Sequence, residues 1–218
     1  MSLNERLAAL SAQFKSELSA DELATMERAT DALRRSGMTE RAAKVGQAAP
    51  DFTLKDEDGR SVSLAQMKEK GPVIVTFYRG VWCPYCNEDL KALQTALPTF
   101  QSMGASLISI SPQSPANSRK SKRENLLEYP ILSDPSNAVA ESYGLAYSLP
   151  DDVRQLYTRW GINLETFNGD ASWRLPIPGR FVVQPDGLIA YAEVDPDYTR
   201  RPDPSELMPI LDRLATAA

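Results

Sequence analysis

The stretch PVIVTFY, residues 72–78, has no charged residue and runs straight into the loop RGVWCPYC, residues 79–86. A strand with one wet face alternates polar and apolar residues, whereas an unbroken apolar run is buried on both faces. ASLISIS (105–111) is a second run of this kind. Between them, Leu90, Leu93, Leu97 and Phe100 recur at helical spacing behind Pro84, a residue suited to the first helical position. Strand, helix and strand in that order require a sheet covered by helices on both sides.

The rest of the chain extends this pattern. Leu3, Leu7, Leu10, Phe14 and Leu18 form one apolar stripe; Ser19 and Glu22 match a capping box that opens a second helix ending near Gly37. Residues 1–43 therefore read as an N-terminal helical extension and 44–218 as the main domain. Phe52 and Leu54, then Val62 and Leu64, alternate about the turn DEDG (56–59), which predicts a β-hairpin before the core. A basic helix over 115–127, a strand over 129–134 and a short helix over 137–144 follow. In 148–176, LPDDVRQLYTRWG reads as helix and FNGDASW as loop. GRFVVQPDGLIAYAEV (179–194) reads as two strands about Pro185-Asp186-Gly187, and 203–217 as a closing helix shortened or kinked by Pro209.

Composition removes several classes of function. A net charge of −5 lacks the basic face of a nucleic-acid binder, and no apolar run approaches the ~20 residues needed to span a bilayer. Glu5 and Arg6 interrupt the place where a secretory signal would be apolar, so a cytoplasmic protein is expected. There are 0 histidines, which excludes Ser-His-Asp and Cys-His nucleophile pairs and every His-ligated metal.

The chain has 2 cysteines, Cys83 and Cys86, one helical turn apart. Cys83 stands where a buried strand ends and a helix begins, so helix-terminal amides favour its anion, with Arg79 as a nearby cation. Cys86, in line with Leu90 and Leu93, is expected to be the more buried and less reactive thiol. An exposed activated thiolate with a second thiol in reach suits attack followed by disulfide formation. Zinc would need about four ligands, more than two cysteines supply; two incidental core thiols are the blander reading. Tyr78, Trp82 and Tyr85 flank the pair as pocket walls or as packing. Pro178 is a candidate cis-proline facing the reactive sulfur, or an ordinary turn proline.

Taken together, KVGQAAPDFTLKDEDGRSVSL, TFYRGVWCPYC, LISISPQSP, YPILSDPSNAVAESYGL and RFVVQPDGLI resemble the peroxiredoxins of the alkyl hydroperoxide reductase/thiol-specific antioxidant (AhpC/TSA) family, over roughly residues 44–215. The C-x-x-C loop points to one branch of it. The resemblance implies an α/β, thioredoxin-like fold with a central mixed sheet flanked by helices. It also implies a peroxidase needing no cofactor, in which Cys83 becomes a sulfenic acid on reaction with a hydroperoxide and Cys86 resolves it. Thioredoxin, glutaredoxin or glutathione would be the reductant. Gly80 and Thr76 stand where the family carries threonine and proline. Pro178 occupies the place of an arginine, as in thioredoxins, leaving Arg79 and Arg180 as cations for the site. A thiol-disulfide oxidoreductase acting on protein disulfides is the alternative, a redox switch a third, and a homodimer through the N-terminal helices stays open.

Overall fold

The computed structural model describes residues 1–216; position 217 of the expected closing helix, and position 218, lie outside them. Two helices open the chain, α1 (Leu3–Glu17) and α2 (Ala20–Arg35). Each starts from a serine whose hydroxyl accepts the amide three residues on, while the glutamate there reaches back to the serine amide. These reciprocal bonds satisfy donors that a helix start leaves orphaned. A single turn, α3 (Met38–Arg41), leads into the expected hairpin of β1 (Thr53–Asp56) and β2 (Ser61–Ser63), then α4 (Leu64–Lys68). The alternating part is β3 (Val73–Phe77), α5 (Pro84–Ser102), β4 (Ser106–Ser111), α6 (Pro115–Glu124), β5 (Ile131–Ser133) and α7 (Ala138–Ser142).

Residues 146–176 are more ordered than the sequence suggested. Here β6 (Ala146–Ser148) and β7 (Arg174–Pro176) pair as a separate ribbon around α8 (Asp151–Arg159) and α9 (Leu164–Asn168). The helix over 151–159 agrees with expectation, but Phe167 and Asn168 end a helix that was expected to be loop. The chain closes with β8 (Gly179–Val183), β9 (Ile189–Val194), a 3-10 turn at Pro204–Leu207 and α10 (Met208–Thr216). Pro209 sits at the second position of α10, where a missing N–H costs nothing, so it starts that helix instead of bending it.

The main sheet has the order β2-β1-β5-β4-β3-β8-β9. β3 lies parallel to β4, β4 parallel to β5, and the remaining neighbours are antiparallel, giving the mixed sheet flanked by helices that was expected. The apolar run at 72–78 has a direct explanation. Ile74 and Tyr78 join the cluster under α1, α5 and α10, while Val73, Val75 and Phe77 join the cluster on the opposite face. Successive side chains of a strand point to opposite faces, and here both faces are covered. On α1, Leu3 and Leu7 are buried in the α5 cluster; each contributes about 1.5–3 kcal/mol. On α2 only Met26 is buried, in a third cluster with α8 and α9. No described helix is long and apolar enough to cross a membrane.

Candidate active site

The chain leaves β3 at Phe77, crosses the loop 78–82 and enters α5 with Cys83 as the N-cap residue and Pro84 in its first turn. Gly80 has φ of 148°, and a Cβ there would lie 2.6 Å from Trp82 Nε1, so a threonine has no room. Two bonds fix the loop: Val81 N donates to Gln113 Oε1 at 2.9 Å, and Asn87 Nδ2 donates to Val81 O at 2.8 Å. One turn of helix brings Cys86 Sγ to 2.7 Å from Cys83 Sγ, within hydrogen-bond distance. The two sulfurs are thus in contact.

Three guanidiniums are buried at this end of α5, those of Arg79, Arg180 and Arg201, exposed by only 2%, 1% and 7%. Arg201 Nη2 donates to Cys86 Sγ at 3.2 Å and its Nε lies 3.3 Å from Asp89 Oδ2. Arg180 pairs with the other oxygen of Asp89 and donates to Pro202 O at 2.8 Å. Arg79 has aromatic company instead. Its guanidinium lies 4.7 Å from the Trp82 ring centroid and 4.4 Å from that of Tyr198, and it bonds the Tyr157 hydroxyl. Among the described residues Arg79 has no carboxylate partner, and its Nε is unsatisfied. Three buried cations against the single carboxylate of Asp89 leave positive charge that favours an anion at the sulfurs.

Burial by itself pushes the Cys86 thiol up, but the bond with Cys83 and the guanidiniums of Arg201 and Arg79 overcome it and bring it down to about 6. Burial, and then Cys86 itself, push the Cys83 thiol up. The two thiols thus share one negative charge near neutral pH, drawn towards Cys86 by Arg201, whereas the sequence pointed to Cys83 as the thiolate. The pull is tertiary: Arg201 touches the second sulfur, while the helix-terminal amides act at the first.

The expected exposure of Cys83 is corrected as well, since the residue is 1% exposed and Cys86 is 0%. Cys83 nevertheless forms the base of a cavity of about 380 Å³ whose rim carries the exposed Glu17 and Pro84. Arg79, Trp82 and Tyr85 line it, as do Phe14 from α1, Leu18 just after it and Met26 from α2. Cys86 is not in the lining, so the sulfur accessible to a small molecule is that of Cys83.

Tyr78, Arg180 and Pro178, expected to contact substrate, are not in this lining. Tyr78 is 1% exposed, accepts a bond from Gln113 Nε2 at 2.6 Å and donates to Ser121 Oγ at 3.4 Å. Arg180, register partner of Thr76, is committed to Asp89. The described peptide bonds are all trans, so Pro178 is no cis-proline. Pro178 instead borders a polar cavity of about 350 Å³ beside Arg180 and Arg201.

Asp89, Arg201, Tyr157 and Tyr198 were not singled out from the sequence. Asp89 had a signal: it lies three residues after Cys86, a charge inside the buried stripe of α5. Arg201 had none, because an arginine in a proline-rich loop looks like any solvated one. Replacing Arg201 with Gln removes a cation facing a thiolate, so the first thiol titration, followed by ultraviolet thiolate absorbance of the reduced protein, is expected to rise from about 6 by about 1–3 units. A midpoint that stays put would assign the lowering to Arg79 and the helix terminus.

A family model described as AhpC/TSA matches residues 45–192. A Mycobacterium tuberculosis relative that carries a peroxiredoxin name is 33% identical over 148 residues, 68% of this chain and 83% of its own length. The chloroplastic peroxiredoxin Q of Oryza sativa subsp. japonica is 38% identical over 104 residues, 48% of each chain. This chain thus spans about half the length of the plant relatives it matches. Among solved structures, a peroxidoxin from Mycobacterium tuberculosis superposes with a TM-score of 0.62 at 20% identity, covering 81% of this chain and 99% of that one. The overall fold is accordingly thioredoxin-like, and the described residues outside 45–192 include α1, α2 and α10.

Proposed function

The chain belongs to the AhpC/TSA family, and from that premise we propose that it is a thiol-dependent peroxidase in which Cys83 attacks a hydroperoxide and Cys86 resolves the product. The observation that carries this reading is the contact of the two sulfurs at 2.7 Å, with only Cys83 facing the cavity. The shared proton moves to Cys86 as Cys83 takes the negative charge. Cys83 Sγ then attacks the terminal oxygen of the hydroperoxide: an S–O bond forms and the O–O bond breaks. Sulfur is oxidised to the sulfenic acid, and the alkoxide leaves as the alcohol with the proton from Cys86. The Cys86 thiolate, held by Arg201, attacks the sulfenic sulfur. An S–S bond forms, and hydroxide departs as water on taking up a solvent proton. Arg79, unpaired by any described carboxylate, stabilises the charge developing on the leaving oxygen.

The disulfide is reduced by two thiol equivalents from thioredoxin, glutaredoxin or glutathione, entering at Cys83. A reducing compartment such as the cytoplasm supplies these donors. A thiol-disulfide oxidoreductase acting on protein disulfides is the alternative, and the match to the AhpC/TSA family model over residues 45–192 favours the peroxidase reading over it.

The test uses Cys86→Ser, in which the sulfenic acid cannot be resolved. Hydrogen peroxide or an alkyl hydroperoxide is expected to give a trappable sulfenic acid at Cys83 faster than at free cysteine. A rate equal to that of free cysteine would remove the peroxidase reading.

A further inference from the structure

A hydroperoxide cleaved at Cys83 puts negative charge on its departing oxygen, and that charge is stabilised by hydrogen-bond donors already in place. The loop before Cys83 has few to give. Gly80 has no side chain, Val81 N donates to Gln113 Oε1 at 2.9 Å, and Cys83 N donates to Gly80 O at 3.1 Å. Trp82 Nε1 has no acceptor, but it is turned towards Gly80, where a Cβ would lie 2.6 Å from it. Arg79 remains, and a residue from a distant part of the chain is bonded to it. Tyr157, on α8, lies 78 residues after Arg79 and lines the same cavity as Arg79 and Cys83. Its ring is set between two others, 5.5 Å from Trp82 edge-on and 5.9 Å from Trp160 in a stack. Arg79 Nη2 donates to its hydroxyl oxygen, and the guanidinium carbon lies 5.6 Å from its ring centroid. Among the described residues that hydroxyl donates to no acceptor, so its proton is uncommitted. Burial pushes it well above the ordinary tyrosine range, so it stays protonated and serves as a donor, not a base.

Resting on the peroxidase reading above, we infer that Tyr157 is a further catalytic residue, whose O–H donates a hydrogen bond to the leaving oxygen of the hydroperoxide as Cys83 attacks. The bond it accepts from Arg79 polarises the hydroxyl, because hydrogen bonds in a chain strengthen one another. Arg79 Nε also lacks an acceptor, so the guanidinium and the tyrosine hydroxyl each have a donor to offer one developing oxyanion. The balance of the step is unchanged. The electron pair of the O–O bond goes to the leaving oxygen, the proton that neutralises it comes from Cys86, and Tyr157 keeps its own. α8 sits inside the separate β6–β7 ribbon, and carrying this hydroxyl to the sulfur gives that ribbon a part in the reaction.

The test measures second-order rate constants in Tyr157→Phe, which keeps the ring contacts with Trp82 and Trp160 and removes only the hydroxyl. Oxidation of Cys83 by hydrogen peroxide is expected to slow about 10²-fold, the scale of losing one donor to a developing oxyanion. Peracetic acid, whose departing carboxylate spreads its charge over two oxygens, is expected to lose much less. Alkylation of Cys83 by iodoacetamide, compared at equal thiolate fraction, releases iodide and is expected to keep its rate. Because the variant could also loosen the site, a second one replaces Tyr157 by 3-fluorotyrosine, which keeps the hydroxyl and makes it a more acidic donor. Its peroxide rate is expected to equal or exceed that of the unaltered protein. An unchanged peroxide rate in Tyr157→Phe overturns the inference. So does an equal fall with all three reagents, or a fluorotyrosine protein as slow as Tyr157→Phe, since either makes the residue structural. These results leave the peroxidase reading standing wherever the unaltered protein outruns free cysteine with hydrogen peroxide. If it does not, both are lost.

Discussion

Replacing Cys83 with serine is expected to abolish catalytic peroxide consumption, lowering it on the order of 10⁴-fold or more, the scale on which an enzyme loses rate with its nucleophile. The partner substitution should behave differently. Cys86→Ser keeps the cavity-facing sulfur, so it should still consume one equivalent of peroxide and then stall as the sulfenic acid. The asymmetry comes from placement, since both thiols are buried but only Cys83 lines the cavity. A coupled peroxide assay paired with mass measurement of the oxidised chain reads both outcomes. Equal single-turnover consumption by the two variants would mean that either sulfur can reach the substrate, and the assignment of attacking and resolving roles would fall.

The second large effect is on stability. Asp89 is 1% exposed and is the carboxylate that both Arg180 and Arg201 use. Asp89→Ala strands two buried guanidiniums, and breaking a buried pair by removing one partner costs about 3–5 kcal/mol. For a chain of this size that corresponds to a fall in Tm of roughly 10 °C. The surface pair of Glu88 with Arg6, whose side chains are 25% and 33% exposed, gives the contrast. Glu88→Ala is expected to cost under about 1 kcal/mol. Thermal unfolding of the two variants beside the unaltered protein decides the matter. A loss below about 1 kcal/mol for Asp89→Ala would mean that the arginines find other partners or solvent, and that the cluster does not act as a unit.

The parts of this molecule that could be read from its sequence are those whose signals are short. An apolar run with no alternation marked β3 as covered on both faces, Pro84 behind it marked a helix start, and Cys83 and Cys86 one turn apart had to meet on that helix. The capping box at Ser19 and Glu22 and the turn at Pro185-Asp186-Gly187 were of the same kind. Where the reading went wrong, the missing information was distant. Pro178 carries no mark in the sequence of whether its bond is cis or trans, because tertiary packing selects the isomer, and here it is trans. Arg180 looked available as a second active-site cation. Pairing of β8 with β3 turns its side chain towards α5, where Asp89 claims it.

The amino-acid sequence alone determined the layered α/β architecture and the presence of a two-thiol centre at a strand-to-helix junction, because periodicity, capping and helix rise act over a few residues. Only the tertiary structure decided which cations face the sulfurs and which sulfur meets the solvent cavity. The charge follows from Arg201, 115 residues away from Cys86, and from Arg79. Access follows from α1, α2 and Tyr198 folding over the N-terminus of α5. Charge pairing and burial depend on distance through space, and the register of the sheet, not proximity along the chain, sets those distances.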